Sequence, residues 1–102
     1  MRIALCTCAP GDADALARAL LDAGAACVNI LPAVRSLYTW EGKRCEDTES
    51  LLVVKFAAER GDVVAAAAHA AHPYALPEWV VLDVDPTTSA RYRAWVRGEP
   101  FD

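Results

Sequence analysis

Apolar and polar positions alternate with two different periods along this chain, and the switches between them mark its elements. Ile3 to Cys8 is a short apolar run bounded by Pro10-Gly11, which predicts a strand. Asp12 stands where a helix cap is wanted, with Asp14 in the first turn at the positive end of the dipole. Leu16, Leu20 and Ala23 recur at helical spacing, and Gly24 is the expected stop. From Cys27 the period falls to two. Val28 and Ile30 share one phase, and Val34, Ser36, Tyr38 and Trp40 carry it to the end of a long strand. Pro32 cannot donate to a ladder, so a bulge or an edge is expected there. Glu41-Gly42-Lys43 makes a hairpin turn, and the return strand runs from about Cys45 to Phe56.

Gly61-Asp62 starts an Ala-rich helix over Val63 to Ala71, which His72-Pro73 ends by pushing the pre-proline residue out of the α region. Trp79 to Val84 is a further strand. Thr87 or Thr88 caps a last short helix carrying Tyr92, Trp95 and Val96 on one face, with Gly98 closing it. The order β-α-β-β-α-β-α predicts an α+β fold, the ferredoxin-like split βαββαβ arrangement with a C-terminal helix added, as one domain over residues 1–102. Helices then cover one face of the sheet only. Yet Leu51-Leu52-Val53-Val54 and Trp79-Val80-Val81-Leu82 are apolar at consecutive positions, so both faces of those strands call for burial. A second copy of the chain is the expected cover for the open face, and the tip of the overlong hairpin is expected to reach a neighbouring subunit.

Composition narrows the classes. With 102 residues, 55% hydrophobic and 24% charged, the chain is neither disordered nor of low complexity. A net charge of −4 argues against a nucleic-acid binder, which would present a basic face. No apolar stretch approaches the roughly 20 residues of a membrane span, and no signal peptide is read, so a cytoplasmic protein is expected. Four cysteines, Cys6, Cys8, Cys27 and Cys45, are then expected reduced.

The chemistry on offer is modest. Cys6 and Cys8, two apart on a strand, share a face and either form a soft pair for Cu(I) or pack as small apolar side chains. His69 and His72 lie three apart at a helix end, on one side if the helix continues to His72, where imidazole suits copper or zinc or simply a helix C-terminus. Tyr38, Trp40, Tyr74, Trp79, Tyr92 and Trp95 are read as interface and core. Lys43, Lys55, Glu49 and Glu78 are read as structural pairs across subunits, because no Gly-rich phosphate loop accompanies them, with an anion pocket at the junctions as the alternative. Cys6, His72 and Glu78 can be written as a nucleophilic set, but nothing in their spacing demands it, and no enzyme is expected.

Ala26-Cys27-Val28-Asn29-Ile30, Ser36-Leu37-Tyr38-Thr39-Trp40-Glu41-Gly42-Lys43, Glu49, Lys55, His72-Pro73-Tyr74, Pro77-Glu78, Tyr92 and Trp95 form a series. That series closely resembles the CutA divalent-cation tolerance family. The resemblance implies a ferredoxin-like homotrimer with hairpins crossing subunit boundaries, and a role in tolerance to copper and other divalent metals. Metal-binding members carry a cysteine at the position of Cys6 and a His-His pair before Pro-Tyr. Here that pair is Ala71-His72, so one imidazole is absent. The implied ligands are Cys6 and His72, with a third from Cys8, His69 or a neighbouring subunit. Phe56 and Trp79 also depart from the family pattern. The alternative function is a trimeric PII-like signalling or scaffold protein that binds a small ligand or partner at subunit junctions.

Overall fold

Strand β1 (Arg2–Cys8) runs through the middle of the sheet, and its alternation sets the layout. Ala4, Cys6 and Cys8 are buried towards the helices, while Ile3, Leu5 and Thr7 face the other way and are half-buried. The computed structural model describes residues 1–100. A 3-10 turn at Pro10–Asp12 leads into α1 (Ala13–Asp22). The turn changes the role expected of Asp12. Its backbone is already helical and its N–H bonds the Ala9 carbonyl at 3.0 Å, so its side chain caps nothing. Gly24 ends the helix as expected, at φ +110°, a conformation that costs glycine little.

The hairpin joins β2 (Cys27–Trp40) to β3 (Lys43–Phe56) through Glu41 and Gly42 alone, at φ 50° and 76°. Two positive φ values in a two-residue loop make a type I′ turn, whose twist suits the strands. The return strand therefore begins at Lys43, two residues before the expected Cys45, and pairs from there with Trp40. The break at Pro32 is also present. Leu31 pairs with Leu51 and Val34 with Glu49, so Pro32 and Ala33 oppose Ser50 alone, and Ala33 takes φ 59°.

A 3-10 turn at Ala58–Arg60 opens α2 (Gly61–Ala71), and β4 (Val80–Asp83) is shorter at both ends than the expected run. Helix α3 (Ala90–Val96) is capped by Ser89, whose Oγ accepts the Tyr92 N–H at 3.3 Å. Thr87 is not the cap. Its N–H and hydroxyl both donate to Asp85 Oδ1, at 2.8 and 2.6 Å, in a turn before the helix.

All pairings are antiparallel in the order β2-β3-β1-β4, which is the split βαββαβ arrangement. Helices α1 and α2 bury Leu16, Leu20 and Val64 against Cys6, Leu52, Val54 and Phe56 on one face. The opposite face stays open in the single chain, where Leu31, Val80 and Leu82 are 42%, 47% and 48% exposed. The molecule measures 50 × 26 × 22 Å.

Candidate functional site

At the end of β1 the hairpin and the segment after α2 converge. Helix α2 stops because His72 precedes Pro73 and adopts extended backbone, at φ −79° and ψ 129°. The chain leaves the helix axis there, which separates the two histidines that helical spacing would have put on one side. His69 is exposed and turned onto its own helix, with Nδ1 2.8 Å from the Ala65 carbonyl. His72 is buried and its ring ties the segment to the sheet. Nε2 donates to the Thr7 carbonyl at 2.7 Å, and Nδ1 accepts the Tyr74 backbone N–H at 3.1 Å. A carbonyl only accepts, so Nε2 carries the proton and the ring is the neutral tautomer.

Tyr74 carries the connection onward. Its ring lies 4.6 Å from that of His72, and its hydroxyl donates to Glu49 Oε2 at 3.0 Å. Glu49 shares the outward alternation of Leu51 and Val53, yet it is only 7% exposed, with the Tyr74 hydroxyl bonded to its carboxylate. Higher on the hairpin the Tyr38 hydroxyl donates to Asp47, and Arg35 pairs with Glu46. Between hairpin and loop lies an open groove of about 840 Å³, reached by Tyr38, Trp40, Asp47, Glu49, Tyr74 and Glu78.

Protons at this end of the sheet are held tightly, through burial first for the thiols and Tyr74 and through a hydrogen bond to Asp47 for Tyr38. Burial pushes the Cys6 thiol from 9.0 up to about 12, reinforced by Cys8, Glu78 and Glu49. Burial also raises Cys8, with help from Asp12 and Glu49. The Tyr38 hydroxyl, bonded to Asp47, rises from 10.0 to about 12. Tyr74 rises to about 12 through burial and its bond to Glu49.

The structure brings Cys6 and His72 to the same end of the sheet, since His72 grips Thr7 beside Cys6. As they stand, these residues do not fit a resident copper ion. Both ring nitrogens of His72 are engaged, Nε2 by the Thr7 carbonyl and Nδ1 by the Tyr74 N–H, so the imidazole has no lone pair free for a metal in this arrangement. Cys8 shares the buried face of Cys6, as alternation predicts, while Cys27 and Cys45 are only half-buried. Among the described residues no group of three or more His, Cys, Asp or Glu side chains is placed to hold a metal. Sequence reasoning picked out Glu49 and Glu78 with an anion pocket as one alternative, whereas the groove they line also holds Asp47 and includes neither Lys43 nor Lys55. The available signal was Glu49 itself, a carboxylate immediately before the apolar run of β3.

This sheet order, with an outsized hairpin arching over a groove, defines a small α+β protein of the split βαββαβ class. Comparison with known proteins gives the family within that class. The sequence matches the CutA1 divalent ion tolerance protein family over residues 2–99, and the chain belongs to that family. The divalent-cation tolerance protein CutA of Pectobacterium atrosepticum is 40% identical over 97 residues, covering 92% of this chain and 86% of the relative. Bovine protein CutA is 35% identical over 85 residues, and the matched region is 83% of this chain but only 48% of the bovine protein. Among solved structures, the PII-like protein CutA from Nostoc sp. PCC 7120 in apo form superposes with a TM-score of 0.89 at 36% identity, covering 96% of this chain and 95% of that one.

Proposed function

We propose that this chain serves divalent-cation tolerance as a homotrimer that responds to a small molecule bound in the groove between hairpin and loop, in the PII-like manner. The observation that carries this reading is the double engagement of His72. The imidazole that a metal would require is committed to the loop that forms one wall of the groove. The PII-like description of the Nostoc relative supports the same reading. The uncovered sheet face and the exposed hairpin aromatics, Tyr38 and Trp40, supply the surface on which copies would assemble.

Two measurements test it. In a thermal-shift screen of small metabolites, a ligand of this groove should raise the unfolding temperature of the parent chain and leave a Tyr38→Ala variant unmoved. A screen in which no metabolite of any charge acts through Tyr38 would sink the groove reading. A copper titration of the reduced protein beside a Cys6→Ser, His72→Ala double variant should give equal affinities. A clear loss in the double variant would return the role to copper held by Cys6 and His72.

A further inference from the structure

The even-numbered positions from Val28 to Trp40 read as one phase in the sequence, yet in the structure they face two ways. Residues directly opposite each other in an antiparallel ladder share a face. Val28 and Ile30 oppose Val54 and Leu52, which are buried under the helices. Beyond the break, Val34, Ser36, Tyr38 and Trp40 oppose Glu49, Asp47, Cys45 and Lys43, on the open side with Leu31 and Leu51. The cause is the two-against-one count at Pro32 and Ala33, because one extra residue moves every later side chain of its strand to the other face. Side-chain bonds follow the same division. Tyr38 donates to Asp47, its diagonal neighbour on the open side, while Arg35 pairs with Glu46 on the reverse. Ala33 takes a φ of 59° to make the break, a conformation that alanine holds only where its surroundings dictate it.

Resting on the homotrimer reading above, we infer that the break at Pro32 and Ala33 is a phase-setting element for self-recognition. It turns Tyr38 and Trp40 onto the open apolar side, where they extend the surface that a second copy of this chain covers. The hairpin itself calls for that cover. Strand β1 ends at Cys8, opposite Ser50, so beyond this point β2 and β3 have no third strand beside them. A two-stranded ribbon is marginal alone in water and presents an unpaired edge on each side. Each copy also carries both parts of a mutual contact, the aromatic stripe on the hairpin and aliphatic Leu31, Val80 and Leu82 on the sheet. In the opposite phase Arg35 and Glu46 would stand on the open side, and closing the contact would desolvate both charges.

Two changes remove the break with opposite consequences for phase. Deleting Ala33 sets one residue against one and leaves Tyr38 and Trp40 opposite Cys45 and Lys43, on the open side. Inserting an alanine between Ser50 and Leu51 sets two against two and turns the whole distal hairpin over. In sedimentation equilibrium the deletion variant should assemble like the parent and the insertion variant should sediment as a monomer, both with the far-ultraviolet circular dichroism of the parent. A third variant keeps the backbone and exchanges the stripes, combining Leu37→Tyr, Tyr38→Leu, Thr39→Trp and Trp40→Thr. It should lose assembly too, and it alone decides the matter if the insertion variant does not fold. A folded insertion or exchange variant as fully assembled as the parent overturns the proposal. So does a folded deletion variant that sediments as a monomer, since the bend and not the phase would then be what assembly reads. A parent chain that is itself monomeric overturns the homotrimer reading and this proposal with it, whereas an assembled parent beside an assembled exchange variant overturns the proposal alone.

Discussion

Glu41 occupies the left-handed region at φ 50°, where a side chain other than Asn, Asp or Gly is strained by about 1–2 kcal/mol. The type I′ turn it shares with Gly42 prefers Asn-Gly. Glu41→Asn should therefore stabilise the hairpin by about 0.5–1 kcal/mol, read as a higher urea midpoint with unchanged slope. An equal or lower midpoint would count against the turn assignment. Gly42 was readable as a turn residue from sequence, but the two-residue length was not, because Lys43 and Arg44 are as compatible with a loop as with a strand. The thiols give a second prediction at this scale. Cys6 holds its proton to about 12 in the folded chain, whereas an unfolded thiol releases it from about 9.0. A raised folded pKa contributes stability that is complete below pH 9 and is lost as pH climbs from 9 towards 12. Tyr38 and Tyr74, raised from 10.0 to about 12, act in the same direction. The urea midpoint should fall between pH 8 and pH 11, and fall less in Cys6→Ala. A midpoint flat across that range would show that these protons are not held as described.

At the scale of elements, the connection between α2 and β4 is fixed by contacts with distant strands rather than by its own sequence. His72 bonds Thr7, and Tyr74 bonds Glu49, across 65 and 25 residues respectively. His72-Pro73 correctly marked the end of α2, since the proline acts on its immediate neighbour. The destination of the imidazole was not legible, because it depends on which carbonyl β1 presents at that end of the sheet. For the same reason the period-two pattern placed β3 but not the burial of Glu49, whose carboxylate meets a tyrosine 25 residues further along the chain. His72→Ala removes a donor and an acceptor and leaves the Thr7 carbonyl and Tyr74 N–H without partners. The expected cost is about 2–4 kcal/mol. Hydrogen exchange reads it locally, with the Tyr74 amide exchanging much faster while amides in the β1–β3 ladder change only as far as global stability falls. A Tyr74 amide as slow as in the parent chain would mean that the ring does not hold the loop.

For the whole molecule the question is what covers the sheet. Strands β2 and β4 are both edges of the single chain, and Leu31, Val80 and Leu82 stand on a face that no helix covers. The run Val80-Val81-Leu82 announced this in the sequence, because a strand apolar at consecutive positions calls for burial on both sides. No sequence pattern could say how many copies answer the call, since that number depends on the angle at which sheets meet. Burying a Val or Leu side chain completely contributes about 1.5–3 kcal/mol, and these residues start half-exposed, so each contributes roughly half of that per copy on assembly. In the proposed homotrimer this gain, repeated at several positions, opposes the entropic cost of association and favours self-association. Leu82→Lys places a charge on the open face and should shift the protein towards monomer in sedimentation equilibrium. Leu21→Lys makes the same exchange on α1, at a position 46% exposed and away from the sheet, and should leave assembly unchanged. Trp40→Ala should also weaken assembly, with far-ultraviolet circular dichroism unaltered, because Trp40 lies at the hairpin tip and outside the core. A parent chain that sediments as a monomer at micromolar concentration, or a Leu82→Lys variant as fully assembled as Leu21→Lys, would remove self-association as the reason for the open apolar face.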